Sequence, residues 1–143
     1  MINYKIYVDG SCRANGDGGI GVVWLKNGKK VFEYSKGFKG VTNNIMELTA
    51  IYAALKSIRK EIDSLEIISD SEYSLGCIFN PNWKPKKNVE LINKAKKQLE
   101  KTQALVKSPI QYRHTRGHQK IDSEDARWNN QCDWLAQASS IIL

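Results

Sequence analysis

The chain has 143 residues, 41% of them hydrophobic and 26% charged, a balance that supports one folded core and excludes a disordered polyampholyte, a collagen-like repeat and a disulfide framework. Its 22 basic and 15 acidic side chains leave a formal net charge of +7, which biases one domain over 1–143 toward polyanionic partners, nucleic acid foremost, although basicity also serves plain solubility. Cys12, Cys77 and Cys132 are odd in number and far apart, Lys5 and Asp9 interrupt the N-terminal stretch, and no window approaches the roughly 18 apolar residues of a membrane span, so a reducing, aqueous compartment, the cytoplasm, is expected.

Lys5 to Asp9 is β-favouring and meets turn residues at Gly10-Ser11, so a first strand is predicted to end on Asp9. Gly19 to Lys26 is rich in Val, Ile and Trp. Asn27-Gly28 then supplies the φ > 0 pair of a tight hairpin, and Val31 to Phe38 alternates into a third strand, completing an antiparallel meander. Gly16, Gly18, Gly19 and Gly21 lack the Gly-Lys-Ser/Thr ending of a phosphate loop and precede a strand, so they are read as turn punctuation. Thr42-Asn43-Asn44 offers caps for a helix reaching about Lys60, on which Ile45, Leu48, Tyr52 and Leu55 form an apolar stripe with Glu47 beside it at a cleft edge.

Leu65 to Ser69 reads as a short buried strand with Asp70 at its carboxyl end, where open α/β sheets bind ligands. Asn80 to Pro85 breaks helix twice. Val89 to Thr102 returns to helical period with Leu91, Ile92, Ala95 and Leu99 on one face; Lys94, Lys97 and Lys101 opposite them suit a solvated face better than a nucleic-acid footprint. Ile110 to Arg113 reads as a fifth strand, 116–130 as a polar loop, and 131–142 as a closing helix with Trp134, Leu135 and Ala138 inward. The order β, β, β, α, β, α, α, β, α describes an α/β domain with a mixed sheet and helices over the later strands.

Asp9 at the end of strand one, Glu47 on the first helix, Asp70 after strand four and Asp133 opening the last helix stand out by position. If strands one and four are neighbours, Asp9 and Asp70 meet, and crowded carboxylates repel unless a cation or proton intervenes. Magnesium or manganese suits such an all-oxygen, partly hydrated site. From spacing alone, four ordinary surface acids among fifteen account for these positions at least as well.

The local sequences favour the first reading. Asp9-Gly10-Ser11 after a strand, Thr42-Asn43-Asn44-Ile45-Met46-Glu47-Leu48 opening a helix, and Ser69-Asp70-Ser71-Glu72-Tyr73 after a strand form three blocks. Gly117-His118 with Asn129-Asn130-Gln131-Cys132-Asp133-Trp134-Leu135-Ala136 forms a fourth. Together they resemble type 1 ribonuclease H, in order, from about Tyr4 to Ala138. The resemblance implies a ribonuclease H-like fold, with a five-stranded mixed sheet of order 3-2-1-4-5 and helices on both faces. It also implies a metal-dependent endonuclease that cuts the RNA strand of RNA/DNA hybrids, leaving 5′-phosphate and 3′-hydroxyl ends.

By the same resemblance, Asp9, Glu47, Asp70 and Asp133 hold two Mg2+ ions, for which Mn2+ can substitute, Asp9 reaches both ions, and His118 assists turnover. Two such ions about 3.5–4 Å apart span the scissile phosphate, one activating water and the other stabilising the departing 3′-oxygen. A histidine can exchange protons with a leaving group or water near neutral pH where a carboxylate ordinarily cannot, which suits His118 to this role, whereas His114 is read as a packing or backbone-bonding residue. The stretch from His118 to Asp133 exceeds the compact family pattern and adds Asp122, Glu124 and Asp125, acids that would approach the metals if turned inward.

Sequence-independent hybrid binding needs phosphate contacts and a test for the 2′-hydroxyl. The resemblance assigns these to the backbone at Gly10, Ser11, Cys12 and Arg13, and to Asn15, Asn43, Ser71 and Glu72. Thr42 and Arg13 are candidates for a DNA-strand phosphate, and Phe79 or Trp83 for an aromatic surface beside deoxyribose, with Lys84, Lys86 and Lys87 adding charge. Glu72 stands where many relatives carry glutamine, and an ionised carboxylate donates no hydrogen bond. The basic insertion of better-known bacterial relatives is reduced to a short stretch between Tyr73 and Lys87, so weaker, more salt-sensitive binding is expected. A monomer without a protein partner is the default; a non-catalytic hybrid or double-stranded RNA binder and a DNA-cutting nuclease of this fold are the alternatives.

Overall fold

A computed structural model describes residues 1–117 and 122–141. In chain order it has β1 (Asn3–Cys12), β2 (Gly18–Lys26), β3 (Lys29–Phe38), α1 (Asn43–Lys56), β4 (Ser64–Ser69), α2 (Glu72–Phe79), α3 (Val89–Gln103), β5 (Gln111–His114) and α4 (Glu124–Ile141). The strands form one sheet of order β3-β2-β1-β4-β5, the order the resemblance implies, antiparallel along β1-β2-β3 and parallel along β1-β4-β5. Asn27 (φ 50°) and Gly28 (φ 84°) turn the β2–β3 hairpin, both left-handed as a type I′ turn requires.

Period-two alternation along the central strand feeds two cores. Ile6 and Val8 of β1 face α1, α2 and α3, packing with Ile20, Met46, Leu48 and Ile67, while Tyr7 faces α4 with Val23, Ile68, Cys132 and Leu135. Helices therefore cover both faces. The two that touch the sheet most, α1 and α4, lie over β1 and β2, the middle of the sheet and not the later strands predicted.

The first strand does not stop at Asp9. Gly10, Ser11 and Cys12 pair with Ile20, Gly19 and Gly18, so β1 runs on, and Gly18, Gly19 and Gly21 are strand residues. Of that glycine cluster Gly16 alone, at φ +90°, serves a turn. Gly19 and Gly21 provide clearance: a β-carbon on Gly19 would lie 2.2 Å from the Ala136 carbonyl oxygen, and one on Gly21 2.1 Å from that of Cys132. Helix α4 rests directly on the β2 backbone. Gly21→Ala is accordingly expected to cost about 3 kcal/mol through overpacking, read as a lower urea midpoint; an unchanged midpoint would mean that α4 is free to lift.

Helix α1 ends at Lys56, short of the predicted Lys60, because its last carbonyls find side-chain partners. Thr102 Oγ1 on α3 donates to the Leu55 carbonyl at 2.8 Å, and Ser57 Oγ donates to that of Ala54 at 2.6 Å.

The last helix departs most from expectation. It begins at Glu124, so 124–130 of the predicted loop are helical and Asp133 lies mid-helix instead of opening it. Ser123 Oγ accepts from the Ala126 N–H at 3.1 Å, and Glu124 and Asp125 occupy the first turn, where acidic groups complement the helix dipole. Its buried face is mostly small: Ala126, Asn129, Cys132, Ala136, Ser139 and Ser140. Leu135 is buried and Ala138 half-buried, but Trp134, predicted inward, is 64% exposed.

Candidate active site

Val8 pairs with Ser69 in parallel register, which sets Asp9 and Asp70 side by side at the carboxyl end of the sheet. Thr42 starts α1, its Oγ1 accepting from the Ile45 N–H at 3.2 Å. Gly10 admits that helix so closely that a β-carbon there would lie 2.4 Å from the Glu47 nitrogen. The Gly10 N–H in turn donates to Glu47 Oε1 at 2.5 Å and to Asp9 Oδ1 at 3.0 Å. One oxygen from each of Asp9, Glu47 and Asp70 lies within 4.8 Å of the others. Seated on the β2 glycines, α4 brings Asp133 to the same place, and the four carboxylates line one pocket of about 400 Å³ with Gly10, Ser11, Asn43, Ser71 and Gln137.

Glu47, expected at a cleft edge, is buried at 8% exposure, and Asp9 is 3% exposed. Burial and then the negative charge of Glu47 push the Asp9 carboxyl up to about 12. Burial also pushes Glu47 up to about 8, against the pull of hydrogen bonds with Asp9 and the Gly10 N–H. The pair therefore holds protons at neutral pH unless a cation replaces them. Glu47 Oε2 is buried with no hydrogen-bond partner, a costly state for a protein group left alone. An all-carboxylate set with an orphaned oxygen fits a hard divalent cation.

Asn43 and Ser71 open α1 and α2 at the pocket; Ser71 Oγ caps α2 by accepting from the Ser74 N–H at 3.1 Å. Other predicted contact residues lie outside the lining. Cys12 Sγ is 3.2 Å from the Val41 carbonyl, Arg13 Nε donates to Ser140 Oγ at 3.1 Å, and Asn15 Oδ1 accepts from the Asp17 N–H at 2.9 Å within the β1–β2 turn. Glu72 is exposed, with Oε1 3.7 Å from His114 Nδ1. Phe79 stacks on Tyr112 with ring centroids 4.6 Å apart, and Trp83 lies across Gly76. His118 lies outside the described residues.

The extra acids do not line the pocket. Asp122 is exposed, Glu124 pairs with Lys5 at 3.2 Å, and Asp125 accepts from Tyr7 Oη at 2.5 Å and from both Arg113 terminal nitrogens. The Arg113 guanidinium holds the Asp125 carboxyl below the usual carboxylate range. His114 bonds backbone as read, with Nε2 3.2 Å from the Asp70 carbonyl oxygen. Sequence reasoning named Gly117 only as part of a motif block and gave no role to its place against Asp70, where a β-carbon would come within 2.9 Å of Oδ2; it missed Gln137, whose signal was its spacing of four from Asp133.

A family model for RNase H matches residues 2–141. The chain belongs to the RNase H family. Ribonuclease H of Clostridium botulinum (strain Hall) is 39% identical over an alignment covering 92% of this chain and 91% of the relative. Ribonuclease H of Chlorobium phaeovibrioides is 37% identical with the same coverage. The N-terminal RNase H domain of a Mycobacterium tuberculosis protein, solved as a fusion with maltose-binding protein, superposes with a TM-score of 0.76 over 99% of this chain and 96% of that one, at 19% identity, a likeness of fold. As an RNase H the chain is a nuclease, and the family's dependence on a divalent metal agrees with the acidic trio. Among the described residues no helix is long and apolar enough to cross a membrane.

Proposed function

We propose that this RNase H hydrolyses the RNA strand of RNA/DNA hybrids, leaving 5′-phosphate and 3′-hydroxyl ends, as a monomer in the cytoplasm. Asp9, Glu47, Asp70 and Asp133 hold two Mg2+ ions in this reading, and His118 assists turnover. The observation that carries it is the convergence of the four carboxylates in one pocket of a chain with net charge +7. A module that only bound a phosphate backbone would gain nothing from concentrated negative charge beside it.

Bound there, Mg2+, or Mn2+ in its place, supplies Lewis-acid activation of water and charge neutralisation at the departing oxygen. The chain's own groups orient the site. The Gly10 N–H fixes one oxygen each of Asp9 and Glu47, so Glu47 Oε2, buried without a hydrogen-bond partner, would be the oxygen available to a cation. Gly10 N–H is thereby committed, as is the Arg13 N–H, which donates to the Asp17 carbonyl at 2.8 Å. Contact with sugar and phosphate in this stretch falls to Ser11 in the pocket and to the Arg13 side chain beside Cys12 and Asn15, with Asn43, Thr42, Ser71 and Glu72 across from them. Phe79, Trp83 and the lysines at 84, 86 and 87 meet the DNA strand.

Incubating labelled hybrid, double-stranded DNA and double-stranded RNA with Mg2+, Mn2+ or chelator tests the reading. Only the hybrid's RNA strand should be cut, and only with a cation; a hybrid left whole under every cation overturns it. Binding should also be salt-sensitive. With about four phosphate contacts, affinity is expected to fall on the order of a hundredfold between about 50 and 200 mM salt, measured by fluorescence anisotropy in chelator, and a flat response would remove the electrostatic grip from the account.

A further inference from the structure

We infer that Gln137 is a positioning residue for Asp133, an inference that rests on the proposed cation site. Asp9 and Glu47 are held by the backbone through the Gly10 N–H, and Asp70 sits at a strand end between Gly117 and His114. Asp133 projects from a half-buried position on α4, where an i,i+4 neighbour on the helix can select among the staggered rotamers of an aspartate. Gln137 follows one helical turn later on the same face. Its Nε2 donates to Asp133 Oδ2 at 3.0 Å, and its side chain lines the same pocket as the four carboxylates.

A donor at this place ties one aspartate oxygen along the helix, on the side chain that lines the pocket. A neutral amide does so without cancelling the carboxylate's charge. Lysine or arginine at 137 would also donate, but would compete with the cation for Asp133, and glutamate would repel it. Gln137 thus sets how readily Asp133 takes up a cation and touches no reacting atom.

Gln137→Leu preserves size and helix propensity and removes the donor. In chelator its melting temperature is expected within about 1 °C of wild type, since the side chain is exposed and a surface i,i+4 bond contributes little. The Mg2+ concentration giving half of the metal-induced rise in melting temperature should increase about tenfold. The Mg2+ requirement for half-maximal hybrid cleavage should rise in parallel, while kcat at saturating Mg2+ falls much less. Gln137→Lys, a donor with a positive charge, should also require more Mg2+ than wild type. A Gln137→Leu protein with the wild-type Mg2+ midpoint in melting and cleavage overturns the inference, as does one that melts several degrees lower in chelator. A wild type that shows neither a Mg2+-linked melting shift nor cleavage removes the proposed function as well.

Discussion

Asp9→Asn is expected to lower hybrid cleavage by about a thousandfold or more while raising the melting temperature of the metal-free protein. Both effects come from one placement. Asp9 is 3% exposed beside Glu47, and burial with that neighbouring charge pushes its carboxyl up to about 12. Asparagine keeps the shape, can still accept from the Gly10 N–H, and removes one of two buried negative charges that only a proton or cation makes tolerable. The relief is on the order of 2 kcal/mol, or roughly 5 °C for a domain of this size. Activity goes the opposite way, because in the proposed reading the lost charge is one that would hold the cations and stabilise charge developing at the phosphate, an effect commonly worth about a hundred- to a thousandfold for one group. Calorimetry in chelator and single-turnover cleavage in Mg2+ check the two halves. Asp70, less buried at the rim, should give a smaller gain in melting temperature on the same change. Retained turnover in Asp9→Asn, or a protein that melts lower in chelator, would contradict this account of the site.

The hairpin at Asn27-Gly28 and the start of α1 at Thr42 were legible because each rests on a local signal, a left-handed pair and a capping side chain, whereas the strand order, which pairs segments distant in the chain, followed from the family resemblance. The extent of α4 was not legible, for a physical reason. Periodicity is detected through large apolar side chains, and the buried face of α4 is built from alanine, serine, asparagine and cysteine because its counterpart in β2 is glycine. Neither segment announces the contact alone. The same applies at Gly10, which looks like a turn residue and serves as the seat for α1; that close approach buries Glu47, which helical angle alone placed at a cleft edge. Asp9 and Asp70 were placed together by strand adjacency, which the parallel β1–β4 register provides. Gln137, which donates to Asp133, was legible only as a spacing of four from it, and the clearance that Gly117 leaves beside Asp70 depends on a distance that no spacing rule encodes.

Metal-free protein should lose stability as pH rises above about 5, and Mg2+ should restore it most at alkaline pH. Unfolded aspartate and glutamate titrate near 4, whereas in the folded chain Asp9 is pushed up to about 12 and Glu47 up to about 8. From about pH 4 to 8 the folded state therefore holds protons that the unfolded state has released. By linkage the slope of stability against pH is negative there, at most about 1.4 kcal/mol per pH unit for each proton held. Asp125 acts in the other direction: Arg113 lowers its carboxyl, so its contribution is complete above the unfolded value near 4 and disappears in acid. The two trends together put the stability maximum of the chelated protein on the acidic side of neutral. A divalent cation at the carboxylates displaces the bound protons, so its binding strengthens with pH. The Mg2+-induced rise in melting temperature should thus be several-fold larger near pH 8.5 than near pH 5.5. Titration calorimetry near pH 7 in buffers of different ionisation enthalpy should report between about one and two protons released per chain, as the cation displaces those held by Asp9 and Glu47. A metal response independent of pH, with no proton release, would show that Asp9 and Glu47 are already ionised without a cation, and the buried pair would then need another source of neutralisation.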